Sequence, residues 1–310
     1  VRFGVKFGVD LPADPDELVQ LAMRIEHLGF DSIWVGDHLV IPRHVDVALH
    51  RAQVGGVEFA DKTHNDVLDP ILALTYLSTV TTRIRLGLSV LVIPYRDPIL
   101  TAKLLATLDV LSRGRLIVGA GVGWMKDEFM ALGVPYEERG AIADEYLALM
   151  VELWTSESPT FSGTYRSIAD VAFLPKPVQK PHPPIWIGGN GAPAMRRAAR
   201  LGQGWMPNFQ SPDELRPKLQ QLRSMMCAGG RDESEMTIAV GCRLAADPSV
   251  APSGSLLGGT RADITLAIEA YAALGVEELV LLSPREPNLD VRLAPLERFA
   301  EQVHAIEARD

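Results

Sequence analysis

Apolar positions along the chain alternate between two patterns: short continuous runs, and longer stretches with a single apolar stripe. The short runs read as strands buried on both faces, and the striped stretches read as amphipathic helices. Residues 3–9 form the first strand. Residues 14–28 follow as a helix, with Leu18, Leu21, Ala22, Ile25 and Leu28 on one stripe and Gly29 as its stop. Residues 32–36 read as a second strand, and a long polar excursion runs from 42 to 65. Helix 67–81, strand 84–92, helix 98–111, strand 116–120 and helices 125–132 and 137–154 come next. A proline-rich stretch, 159–184, holds a hairpin turning at Gly163. Beyond it the pattern resumes with strand 185–187, helix 192–201, a short strand near Trp205, helix 212–228 and strand 237–242. A Pro/Gly/Ser-rich loop spans 247–259, and its part 251–259 (APSGSLLGG) has little to bury and is expected to be mobile, closing over the barrel mouth when ligand binds. Thr260, with Asp263 three residues on, predicts an N-cap for helix 261–274. Strand 278–282 and helix 291–308 end the chain.

This count gives eight strand-then-helix units of about 39 residues each. Eight units favour a closed (β/α)8 TIM barrel, an α/β fold, with 1–310 as a single domain carrying insertions. Two Rossmann-like halves are the alternative and would want a linker near the middle. The only candidate for one is 159–184, and the same pattern resumes after it.

Charge and composition narrow the partners. The formal net charge is −9, from 30 basic and 39 acidic residues, with no basic cluster of the kind a nucleic-acid surface needs. No apolar run approaches the ~18 to 20 residues of a membrane span. Cys227 and Cys242 lie on separate predicted elements and form no CxxC motif. The first residues, VRFGVKFGVD, open as a strand without the features of a leader peptide. The expectation is a soluble, reduced, cytoplasmic protein acting on a small molecule.

A barrel carries its chemistry where strands end and their following loops begin. Those points are Asp37-His38 after strand 2, Ser89-Val90 near the end of strand 3, Val122-Gly123-Trp124 after strand 4, and Gly188 to Gly191 after strand 5. In the last segment, IWIGGNGAPAMRRAA, glycines leave the strand and a helix starts at once. Its first-turn N–H groups suit a phosphate, and Pro193 fits a helix start. The same glycines would also serve an ordinary tight turn. Asp37 could likewise be a plain turn residue, with His38 a polar neighbour; the functional reading makes His38 a proton carrier. No metal site is expected, because there is no HExxH or strand-1 HxH, and His27, His44, His50, His64, His182 and His304 are scattered. Lys6 is the only strand lysine, and it carries a weak case for Schiff-base chemistry.

The runs GFDSIWVGDHLVIP, RIRLGLSVLVIPYRDPILTAKLLATLDVLSRGRLIVGAGVGWMKDEF and LPKPVQKPHPPIWIGGNGAPAMRRAARLGQGW together resemble the bacterial luciferase-like monooxygenase family, and within it the branch that uses the deazaflavin coenzyme F420. The resemblance spans essentially the whole chain. It implies a (β/α)8 barrel with insertions, an oxidoreductase, and a homodimer. It assigns Asp37 a position near the cofactor ring and His38 the role of proton carrier. Ser89 and Val90 would back the ring, through a non-proline cis peptide between them. Val122 and Gly123 fall on the strand-4 turn, with Asp127 one helical turn on. Gly189, Asn190, Gly191, Pro193 and Ala194 fall on the phosphate cradle. A branch acting on sugar phosphates has a glutamate where this chain has Trp124, which implies an aromatic wall over a less polar substrate pocket. The expected activity is hydride transfer between F420 and a small organic substrate. The alternative is an FMN-dependent monooxygenase using reduced flavin and oxygen. A third reading is a non-catalytic flavin-binding protein.

Overall fold

Four helices of the protein begin in the same way. Asp14-Pro15, Asp69-Pro70, Asp97-Pro98 and Ser211-Pro212 each supply an N-cap side chain and a proline in the first turn. Each cap accepts hydrogen bonds from first-turn N–H groups that have no partner inside the helix, and the proline gives up a donor that position never uses. The computed structural model describes residues 1–7, 11–41, 67–283, 286 and 288–307. The helices are α1 (Pro15–His27), α2 (Pro70–Val80), α3 (Pro98–Leu111), α4 (Lys126–Ala131), α5 (Arg139–Thr155), α6 (Ala192–Leu201), α7 (Pro212–Ala228), α8 (Arg261–Ala272) and α9 (Leu289–Glu307). Thr260 and Asp263 form the capping box expected of them at the start of α8.

Between the helices run β1 (Arg2–Lys6), β2 (Ser32–Val35), β3 (Arg85–Leu88), β4 (Leu116–Gly121), β5 (Ile185–Gly188), β6 (Gly204–Met206), β7 (Thr237–Leu244) and β8 (Glu278–Leu282). Each pairs in parallel with the next, and β8 returns to β1 with Lys6 opposite Leu282, so the sheet closes into an eight-stranded barrel. This is the (β/α)8 fold expected. The strands on either side of the proline-rich stretch, β4 and β5, are neighbours in that one sheet. Residues 174–179 strap the outside of the barrel, where Gln179 bonds Asp109 and Lys176 bonds the carbonyls of Leu153 and Ser156. The expected hairpin is present, with Phe161–Ser162 paired to Ser167–Ile168.

The barrel interior is solid. Trp34, Ile117, Trp186, Met206, Ala239 and Val280 fill it, and the two indoles lie 5.2 Å apart. Glycines on the neighbouring strands make the room: a Cβ on Gly87 would collide with Trp34, and one on Gly204 with Trp186. At the N-terminal end of the strands, buried Glu278 accepts from Ser32 Oγ and Arg85 and lies 3.5 Å from Arg2 Nε, while Trp34 Nε1 donates to Ser32 Oγ at 2.7 Å. A buried carboxylate persists only with such partners.

Two expectations need correction. Strand 84–92 is two pieces. β3 ends at Leu88, the Ser89–Val90 peptide is cis, and Leu91–Val92 pairs onward with Ala120 and Gly121 of β4. The loop 251–259 also has more to bury than its composition implied. Leu256–Leu257 adds a short parallel strand to β7, with Arg243 N–H donating to Ser255 O and Ala245 N–H to Leu257 O, and Leu257 is 1% exposed. Among the described residues no helix is long and apolar enough to cross a membrane. The excursion at 42–65 lies outside the described residues.

Candidate active site

His38 leaves the end of β2 into the barrel mouth, one residue past Asp37. Its Nδ1 lies 2.7 Å from Glu128 Oε2. Glu128 comes from the first turn of α4, where buried Phe129 anchors the short helix against Tyr95 and Tyr136. The Glu128 carboxylate is fully buried and well supplied with donors. Oε1 takes the N–H groups of Leu39 at 2.6 Å and Val40 at 3.2 Å, and Oε2 also takes the Tyr95 hydroxyl at 2.8 Å. Burial alone would raise its pKa. The hydrogen bonds from His38, Leu39 and Tyr95 outweigh burial and hold it below the ordinary carboxylate range. Burial and the neighbouring Glu128 charge push the Tyr95 phenol up, so Tyr95 stays protonated and donates. An ionised acceptor at Nδ1 assigns that nitrogen its proton and leaves Nε2 as the basic one.

Asp37 turns the other way. Arg96 grips it through both terminal nitrogens, at 2.6 and 2.8 Å, and the Val92 N–H adds a third bond at 2.9 Å. The same guanidinium reaches Asp69, the N-cap of α2, at 2.8 Å. Asp37 thereby ties the end of β2 to the segment after the cis peptide and to the start of α2. Burial raises its pKa and Arg96 opposes that rise.

The remaining expected residues fall around the same mouth. Ser89 Oγ is buried and has no hydrogen-bond partner among the described residues. Val90 packs over the ends of β4 and β5, where a Cβ on Gly121 or Gly188 would collide with it. Gly123 has φ +76°, and a side chain there would meet Phe129 and Val92. Val122 and Trp124 are partly buried, and the Trp124 ring stands edge-on to His38 at 6.2 Å. Gly189 has φ +117° and Gly191 is the N-cap of α6, with Pro193 in its first turn and Ala194 after it. The Asn190 side chain is spent on the backbone of Asn208, donating to its carbonyl and accepting from its N–H, both at 2.9 Å. Asp127 lies on the exposed face of α4, while Glu128 beside it turns inward.

Sequence reasoning missed Glu128, Tyr95 and Arg96. All three lie within the quoted run from Arg83 to Phe129, yet α4 is only six residues long and shows no stripe that could separate Asp127 from Glu128.

Residues 2–277 match the luciferase-like monooxygenase family. An uncharacterized protein of Mycobacterium tuberculosis (strain ATCC 25618 / H37Rv) is 32% identical over 300 residues, covering 96% of this chain and 97% of the relative. An F420-dependent glucose-6-phosphate dehydrogenase of Kineococcus radiotolerans is 29% identical over 308 residues, covering 97% of this chain and 82% of the relative. Among solved structures, the monooxygenase RslO1 from Streptomyces bottropensis superposes with a TM-score of 0.80 at 23% identity, over 99% of this chain and all of that one. With its closed parallel barrel and a match over most of its length, the chain belongs to the luciferase-like monooxygenase family, a family of oxidoreductases.

Proposed function

We propose that the protein is an F420-dependent oxidoreductase that moves a hydride between the deazaflavin and a small organic substrate. The observation that carries this reading is the His38–Glu128 pair at the mouth of a barrel similar along its length to an F420-dependent dehydrogenase. The residues of the mouth suit such a cofactor. Ser89 Oγ is buried with hydrogen-bonding capacity to spare, and Val90 offers an apolar surface beside it. Gly189, Gly191 and the first turn of α6 leave N–H groups open to a phosphate. Bound there, F420 supplies a two-electron hydride donor or acceptor at C5.

The protein's own task is the proton. With Nδ1–H committed to Glu128, His38 exchanges the substrate's proton at Nε2. Protonation there makes an imidazolium, which the ionised Glu128 stabilises from 2.7 Å. Trp124 walls the histidine from one side. Titrating the purified protein with oxidised F420 and with FMN tests the reading. Micromolar or tighter affinity for F420 is expected. Binding of FMN with none of F420 would overturn the assignment in favour of an FMN-dependent monooxygenase.

The same reading takes the chain as a homodimer. α2 (PILALTYLSTV) has no charged residue and α3 (PILTAKLLATLDVL) has two, exposed Lys103 and buried Asp109, and both helices turn large apolar side chains outward. Leu72, Leu100 and Leu111 are 66%, 57% and 55% exposed, with Tyr76 and Ile99 beside them. Helices apolar all round are ordinarily buried, and a second copy of the same surface would cover these.

A further inference from the structure

Lys6 is a charged side chain inside the barrel that takes no part in the His38–Glu128 or Asp37–Arg96 pairs. The strand alternation fixes its direction: Phe3, Val5 and Phe7 pack outward under the helices, while Gly4 faces inward against Ser32, Trp34 and Glu278. Lys6, two residues on, faces inward at the C-terminal end of β1, level with Trp34 on one side and Leu282 on the other. It makes no hydrogen bond or ion pair among the described residues. Among the described residues, the nearby carboxylates are committed elsewhere: Asp37 to Arg96, Glu128 to His38, and Glu278 to Arg85 and Ser32 deeper in the barrel.

We propose that Lys6 is a specificity-determining residue whose ammonium receives a carboxylate carried by the substrate. An ammonium with no counter-charge among the described residues is costly in a barrel interior, and an anion brought by a ligand offsets that cost. Burial pushes its pKa down to about 8, which still leaves most of it charged at neutral pH. Arg243, in register with Leu282 from β7 as Lys6 is from β1, adds a second cation to the same wall, its guanidinium stacked 4.6 Å over the Phe209 ring. Two cationic side chains thus stand on the inner wall made by β7, β8 and β1. That wall lies opposite the glycine-rich end of β5 proposed for the cofactor phosphate, since β1 and β5 stand four strands apart around the ring. The anion recognised by Lys6 therefore belongs to the second ligand rather than to the cofactor.

The proposal rests on the mouth being the site of hydride transfer, and the test separates the two. Lys6 of the unmutated protein is acetylated at pH 8 and followed by mass spectrometry, with and without matched pairs of probes: benzoate and benzamide, hexanoate and hexanamide. The carboxylates should slow Lys6 labelling at least about fivefold and the amides should not. Lys6→Met should lose carboxylate affinity at least about tenfold by calorimetry, Lys6→Arg should recover much of it, and F420 affinity should stay within about threefold in both. Equal protection by acid and amide, or no protection by either, overturns the proposal. So does a Lys6→Met protein that folds but no longer binds F420, because Lys6 would then serve the cofactor. Failure of the unmutated protein to bind F420 strikes the cofactor assignment and leaves the labelling result standing. If Lys6→Met fails to fold, the labelling arm alone decides.

Discussion

Glu128 and His38, ninety residues apart in sequence, are joined by a 2.7 Å hydrogen bond, and the same carboxylate holds the backbone of the two residues that follow the histidine. One buried side chain therefore fixes both the ring and the strand end that carries it. On the proposed reading Glu128 acts through His38, as a positioning residue. Glu128→Gln should lower kcat about 10- to 100-fold and move the acid limb of the pH–rate profile, with F420 affinity unchanged in a fluorescence titration.

His38 itself should matter more. His38→Ala is expected to lower kcat about 10²- to 10⁴-fold while leaving cofactor affinity nearly intact, as measured by steady-state kinetics and by titration. An unchanged rate would return His38 to the standing of an ordinary loop residue.

Acid should expose the Glu128 network. Its folded-state pKa lies below the unfolded value, so its stabilisation is complete above the ordinary glutamate range, about 4.3, and is lost as the pH falls through the folded value. Urea unfolding of the unmutated protein and of Glu128→Gln should differ by about 1–3 kcal/mol at pH 5 and above, and the gap should close below about pH 4.

Arg96 is the structural counterpart. Arg96→Met leaves the buried Asp37 carboxylate without its cation and should cost about 3–5 kcal/mol in urea unfolding. Adding Asp37→Asn should recover part of that loss, and the double-mutant cycle measures how much.

The apolar face of α2 and α3 gives a prediction about assembly. Leu72→Lys combined with Leu100→Lys should halve the mass seen by light scattering after gel filtration at micromolar concentration. Both side chains are exposed in the single chain, so its fold should survive, as circular dichroism would report.

Element order was legible because each strand is a compact apolar run and many helices announce their start with a cap and a proline, as at Asp97-Pro98. What periodicity could not resolve was any feature that depends on a partner distant in sequence. The run from Ile84 to Val92 is continuously apolar, and nothing in it marks the change of neighbour at Ser89. Asp127 and Glu128 are equally acidic neighbours, and what separates them is the set of distant partners, His38, Leu39 and Tyr95, that receive Glu128 beside buried Phe129. Leu257 looked like part of a glycine-rich tip until β7 supplied a strand for it to join. Asp37 was legible as a strand-end residue, whereas its cation, Arg96, lies 59 positions downstream.

The filled interior of the barrel has a kinetic consequence. Trp34, Trp186 and the layer around them, with Glu278, Ser32 and Arg85 beneath, leave no passage through the strands. Among the described residues no route to His38 runs through the strands, so a ligand reaches it from the C-terminal face of the barrel. If the proposed cofactor lies beneath the substrate on that face, the two cannot exchange independently: the cofactor arrives first and departs last. Turnover should therefore follow a compulsory order, with the outer ligand competing with its own product and unable to be trapped beneath an incoming cofactor.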